Sequence, residues 1–200
     1  MNRPTAPHVT RRPGRPRSER ATAAILRAAS ELLDSRGLDG LSVDAIAARA
    51  GVSKATIYRW WPNKAAIVMD AVLSATAPQI PFPDTGSVRE DLRQQMRSVV
   101  RLFTKTATGR ALVALIAQSQ HDAVTATALH ERFIAPRRTT AGDVLRRGIA
   151  RGELRPDLDV DTAIDTLYGA LYYRLLVSGD PLTPRYVDRV IDHVYPTLAA

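Results

Sequence analysis

The sequence predicts an all-α fold, an N-terminal three-helix unit followed by a larger C-terminal helical bundle, and three observations carry that prediction. Apolar residues recur at helical spacing in one segment after another, and no stretch alternates convincingly with a period of two. Residues 42–64, SVDAIAARAGVSKATIYRWWPNK, read as two short helices joined by a tight glycine turn, a helix-turn-helix. Residues 77–86, APQIPFPDTG, hold three prolines and a glycine, which stop any helix and divide the chain into a unit over 18–76 and another over 87–200.

Ahead of the first unit, residues 1–17 carry four prolines and five arginines. They have too little apolar area to fold alone and are expected to form a mobile arm. Ser18 then caps a helix running to about Arg36, with Ala21, Ile25, Ala28, Ala29, Leu32 and Leu33 on one face and Gly37 as its stop. Ser42 caps the first helix of the motif, where Asp44 suits the positive end of the dipole. Val43, Ile46, Ala47 and Ala50 share its apolar face, and Gly51 ends it. Val52 plugs the gap, and Ser53 caps the second helix. That helix is expected over Lys54 to Trp61, with Ile57 and Trp61 facing inward at i, i+4. Lys54, Thr56, Tyr58, Arg59 and Trp60 are left outward or flanking, a composition suited to a groove rather than a core. Asn63 caps a fourth helix through Ile67, Val68, Ala71 and Val72, ending before Pro78.

Beyond the break, Val88, Leu92, Met96, Val99, Val100 and Phe103 predict one long amphipathic helix, and Leu112, Leu115 and Ile116 a shorter one after Gly109. Asp122 opens a helix through Leu129 and Phe133, which Pro136 kinks or splits from a segment with Val144, Leu145 and Ile149 that ends at Gly152. Asp159 caps a helix carrying Ile164, Leu167, Tyr168, Leu171, Tyr172 and Leu175. Thr183, with Pro184 at the first helical position, opens the last one, with Val187, Val190, Ile191 and Val194. The short connection makes these two an antiparallel hairpin.

Charge locates the interaction surface. Residues 1–64 hold 12 Lys and Arg against 5 Asp and Glu, whereas the remaining residues hold 16 against 15, so almost all of the net +8 lies in the first third. A concentrated basic excess is a footprint for phosphate. Cysteine is absent, which removes disulfides, thiolate metal sites and cysteine nucleophiles. His8, His121, His130 and His193 are scattered without metal spacing, and no phosphate loop or nucleophile elbow occurs. The acidic run DLDVD at 157–161 reads as a helix N-terminus. Neither catalysis nor a cofactor is expected. No apolar run nears the roughly 20 residues of a membrane span, and no signal-peptide core occurs, so a soluble cytoplasmic protein is expected.

The run from Ser18 to about Ala71 resembles the DNA-binding domain of the TetR family of transcriptional regulators, through LSVDAIA, AGVSKATIY and WWPNK. Trp61 stands where the family more often has phenylalanine and preserves the hydrophobic anchor. The resemblance implies a homodimeric regulator of double-stranded DNA, usually a repressor, released from a palindromic operator by a small-molecule effector. It implies that Lys64 meets the DNA backbone. On this reading Ser42, Lys54, Tyr58, Trp60 and Lys64 hold phosphates, Ala55, Thr56 and Arg59 reach base edges by methyl contact, hydroxyl bonding and guanine recognition, and Ser53 is a further DNA-binding residue. RRPGRPR at 11–17 resembles an AT-hook, with Arg15 and Arg17 laid in a minor groove, and equally reads as a solubilising tail.

Candidate effector contacts lie on the inward faces of the second unit: Phe103, Leu112, Leu115, Ile116, Phe133 and Tyr172, with Gln118, His121 and Tyr168 as polar groups. Core packing is the competing role of the apolar members. The family's last two helices form the dimer interface, which nominates Ile164, Leu167, Leu171, Leu175, Val187, Val190, Ile191 and Val194, against the alternative that they complete one subunit's core. Two rival readings stay open: a sequence-tolerant architectural DNA-binding protein working through the basic arm, and a helical-bundle small-molecule binder or enzyme.

Overall fold

Each helix of the computed structural model, which describes residues 19–38 and 40–200, begins and ends where local chemistry dictates. Helix α1 spans Glu19–Arg36 and buries Ile25, Ala28, Ala29, Leu32 and Leu33 before Gly37 turns into the left-handed region at φ 69°. Ser18 and the arm, with Arg15 and Arg17, lie outside the described residues. Helix α2, Val43–Ala50, is capped by the Ser42 hydroxyl, which accepts from the Ala45 N–H. It closes on Gly51 at φ 66°, whose N–H bonds back to the last turn. Ser53 caps α3, Lys54–Tyr58, and Asn63 caps α4, Lys64–Thr76.

Helix α3 is shorter than its periodicity predicts. It ends at Tyr58, and Arg59 and Trp60 form a turn held by bonds of 2.9 and 3.0 Å from the Trp60 and Trp61 N–H groups to the Ile57 carbonyl. Pro62 disfavours helical backbone at the preceding residue, so the turn unwinds before it. Ile57 and Trp61 are nonetheless buried, as their spacing requires.

The proline-rich break is packed rather than free. Ala77–Gln79 makes a 3-10 turn, Ile80 is buried, and Asp91 accepts hydrogen bonds from the Thr85 N–H at 2.8 Å and hydroxyl at 2.7 Å. Helix α5, Val88–Lys105, is the long amphipathic helix. Arg97 on α5 bridges Asp188 at 2.6 Å, which ties it to the final helix.

Helix α6, Ala107–Ser119, starts two residues before Gly109 rather than after it, because Thr106 is its cap. The Thr106 hydroxyl accepts from the Gly109 N–H at 2.9 Å and donates to the Leu102 carbonyl at 2.8 Å, closing one helix and opening the next. Gly109 is needed for proximity: a Cβ there would run into the Leu102 carbonyl.

Helix α7, Ala123–Leu129, passes into a π-helical turn, His130–Ile134, and continues as α8, Ala135–Ala150. The wide turn absorbs Pro136, which has no N–H for the ladder, without splitting the rod. Helix α9, Val160–Tyr173, is capped by Asp159 and ends in a second π-helical turn, Arg174–Ser178. Helix α10, Pro184–Leu198, completes the fold.

Helix α1 packs against α2 and α4, α3 lies against α2, and α6 lies against both α1 and α4, joining the two halves. Helices α5, α8, α9 and α10 form the bundle. Among the described residues there is no strand, only an isolated bridge between Leu154 and Ala199. No helix among them is long and apolar enough to cross a membrane.

Candidate nucleic-acid interface and internal cavity

Burial of Ile57 and Trp61 fixes α3 on the body and leaves its opposite face outside. Lys54, Ala55, Tyr58, Arg59 and Trp60 are exposed, Tyr58 by 51% and Trp60 by 39%, and together they make a cationic and aromatic surface. Thr56 is half-buried, and its hydroxyl lies 3.0 Å from that of Ser53. The cap therefore engages the group nominated for a base edge.

Two lysines are already in use. Lys54 Nζ lies 2.7 Å from the Asp44 carboxylate, whose hydrogen bond and charge raise the lysine's pKa. Both partners are solvated, so a phosphate can displace that pair at little cost. Lys64 Nζ donates to the Leu38 carbonyl at 3.3 Å, which keeps it beside the connection between α1 and α2. Ser42 accepts its capping bond at 3.1 Å and retains a hydroxyl proton to donate.

The second half contains a cavity of about 380 Å³. Phe82 from the proline-rich segment, Gln95 and Val99 from α5, Ile134 from the π-helical turn, Arg137, Arg138 and Ala141 from α8, and Ile164, Asp165, Tyr168, Gly169 and Tyr172 from α9 line it. Tyr168 and Tyr172 are in the wall as nominated. Phe103 supports it from behind, edge-on to Tyr172 at 5.8 Å, and Phe133 lies beneath the Arg137 guanidinium. Leu112 and Leu115 are core residues, 0% and 3% exposed, that do not line the cavity. Ile116 reaches only a neighbouring shallow depression, and Gln118 and His121 are exposed away from the cavity. Helix α6 directs its apolar face toward α1, α4 and α5, which removes it from the lining.

Gln95 and Arg137 were not among the nominated contacts. Gln95 had a signal, a polar residue inside the apolar stripe between Leu92 and Val99. Arg137 had none, since its depth depends on the π-helical turn. Burial lowers the pKa of the Arg137 guanidinium and pushes the Tyr172 hydroxyl up to about 12. It raises the Tyr168 hydroxyl further.

The nominated dimer residues divide between the protomer's core and its surface. Ile164, Leu167, Leu171, Val187 and Ile191 are between 0% and 5% exposed within a single protomer. Val190 and Val194 are also buried, and Leu175 half-buried. The apolar stripes of α9 and α10 pack inward on each other, α5 and α8, which commits Ile164, Leu167, Leu171, Val187 and Ile191 to the protomer's own core. The outer surfaces of α9 and α10 carry a shallow groove that includes Thr166, Ala170, Tyr186 and His193 together with the rims of the nominated Val190 and Val194. Tyr173, Leu176 and Val177 stand exposed at the end of α9.

One connection spans the halves. The Trp61 Nε1–H donates to Asp70 Oδ2 at 2.9 Å, and Arg132 in the first π-helical turn donates to Asp70 Oδ1. The residue anchoring α3 is thus two contacts from the turn that supplies Ile134 to the cavity.

Comparison with known proteins adds a family. Residues 25–71 match the family model for bacterial regulatory proteins of the tetR family, and residues 82–194 match the tetracyclin repressor-like C-terminal domain. The chain is 43% identical over 187 residues to the HTH-type transcriptional regulator YdeS of Bacillus subtilis strain 168, covering 94% of each. It is 32% identical over 179 residues to the DNA-binding transcriptional repressor TetR of Mycobacteroides abscessus, covering 89% of this chain and 93% of the relative. The crystal structure of the TetR family transcription regulator SCO0332 superposes with a TM-score of 0.82 at 38% identity, covering 91% of this chain and 100% of the other.

Proposed function

The chain belongs to the tetR family of bacterial regulatory proteins and is a helix-turn-helix transcriptional regulator that binds DNA; from that premise we propose that it is a homodimeric repressor released from a palindromic operator by a small molecule. The observation that carries this reading is the pairing of an outward, cationic α3 with a lined cavity in the other half, linked through Trp61, Asp70 and Arg132. Residues 18–76 act as the DNA-binding unit, preceded by the basic arm of 1–17, and residues 87–200 as the effector-binding and dimerisation unit.

In this reading Arg59 and Ala55 meet base edges, and Thr56 joins them when its hydroxyl leaves Ser53. Lys54, Tyr58, Trp60, Lys64, Ser42 and Ser53 set affinity and register on phosphates. Dimerisation uses the outer surfaces of α9 and α10 and presents two recognition helices to half-sites one helical turn or a multiple apart. The effector acts only to the extent that it binds the DNA-incompetent state more tightly.

Selection of random duplex DNA by the purified protein, followed by titration at fixed salt, tests the reading. It predicts a palindromic site preferred by roughly 10³ or more over unrelated DNA. Recovery of no consensus, with affinity that only collapses as salt rises, would favour the architectural alternative instead.

A further inference from the structure

Resting on the effector reading above, we infer that the cavity selects an amphipathic monocarboxylate, its carboxylate held by Arg137 and its body packed on the apolar wall. The inference comes from an account of the polar atoms that face the space. The Tyr168 hydroxyl donates to Gln95 Oε1 at 2.6 Å, which occupies that acceptor and leaves the Gln95 amide its N–H donors. Gln95 is 2% exposed, so these donors are withdrawn from bulk water. Tyr172 makes no hydrogen bond among the described residues, and its high pKa keeps it a neutral donor.

Arg137 completes the set. One Nη1–H goes to the Ile80 carbonyl at 2.8 Å, and the guanidinium stands 5.8 Å from the Phe133 ring centroid. No carboxylate among the described residues lies within ion-pair reach of it. Its neighbour Arg138 differs: it bridges Asp161 at 2.9 Å and also bonds Asp165. Among the described residues Asp165 is the one carboxylate in the lining, 68% exposed at the side chain and already held by Arg138. The available groups are therefore donors around one uncompensated cation, which favours an anionic acceptor over a neutral or cationic ligand.

A single positive charge matches a single negative one. A phosphomonoester brings about −1.5 to −2 and would leave charge unpaired. The cavity of about 380 Å³ lies toward the lower end of ordinary ligand sites, and its remaining lining is largely aliphatic and aromatic. A medium-length alkanoate or a bicyclic aromatic acid fits that description.

Isothermal titration of the full chain with decanoate against decanol, and with 1-naphthoate against 1-naphthalenemethanol, tests the inference. The acids should bind about 10- to 100-fold more tightly than their neutral partners, the range of one charged hydrogen-bonded contact. Arg137→Leu should bring that ratio near one by weakening the acids alone. Tyr172→Phe, which keeps the ring packing, should weaken the acids several-fold and the alcohols by less, because a bond to a charged acceptor is the stronger one. Alcohols binding as tightly as acids, no binding by either acid, or an equal loss of both classes in Arg137→Leu would overturn the inference. Operator release is scored separately. Acids that bind without releasing DNA would sink the effector reading and leave the cavity chemistry standing; release by alcohols and not by acids would do the reverse.

Discussion

Replacing Asp70 should expose how the DNA-binding half is braced. Its two oxygens serve different partners: Oδ2 accepts from the Trp61 indole at 2.9 Å, and Oδ1 accepts from Arg132. Trp61 is 2% exposed, so its N–H loses a charged partner with no water to replace it, at a cost of about 1.5–3 kcal/mol. The Arg132 side chain is 45% exposed, which limits that pair to about 0.2–1 kcal/mol. Asp70→Ala should therefore destabilise by about 2–4 kcal/mol. Asp70→Asn keeps an oxygen for the indole and should cost about 1 kcal/mol, and Arg132→Ala no more. Urea unfolding at fixed protein concentration, followed by tryptophan fluorescence, measures all three. An asparagine variant as damaged as the alanine variant, or an Arg132→Ala loss equal to that of Asp70→Ala, would refute the assignment of the larger share to the indole bond.

Other outcomes follow from single features. Arg59→Ala should cost about 1–3 kcal/mol at a cognate guanine and flatten discrimination there, read by titrating operator variants at constant salt; an equal loss on every sequence reassigns it to phosphate. Gly109→Ala should lower the midpoint of thermal unfolding by several degrees or more, because the corner between α5 and α6 has no room for a methyl group. In an alkaline titration read by tyrosinate absorbance, Tyr168 and Tyr172 should stay protonated beyond the ordinary range. Their folded pKa values lie above the unfolded ones, so this contribution to stability is full below about pH 10 and lost as pH rises toward and past 12. A native protein in which all six tyrosines titrate together near pH 10 would contradict that burial.

What the sequence made legible was local. Helix starts were announced by Ser42, Ser53, Asn63, Asp122, Asp159 and Thr183, each of which accepts the expected capping bond. Inward faces were announced by spacing, since Ile25, Leu32, Ile57, Leu92 and Met96 fall where a 3.6-residue period puts them. What stayed hidden was which neighbour each face meets. Leu112 and Leu115 carry the same apolar signal as Val99 and Ile164, but only the latter pair borders a space. The stripes of α9 and α10 looked alike whether they closed one subunit or joined two. Arg137 was invisible because a π-helical turn shifts the register by which its depth would be judged.

Helix α9 has two working sides. Ile164, Tyr168 and Tyr172 border the cavity, while Thr166 and Ala170, on the same rod, border the outer groove. A rigid helix cannot yield on one side and stand still on the other. If that groove is where the subunits meet, effector occupancy and subunit affinity share one free-energy balance, and each must change the other by the same factor. The protein's own concentration then becomes an input: a cell that makes more of the regulator also shifts the effector level at which it lets go.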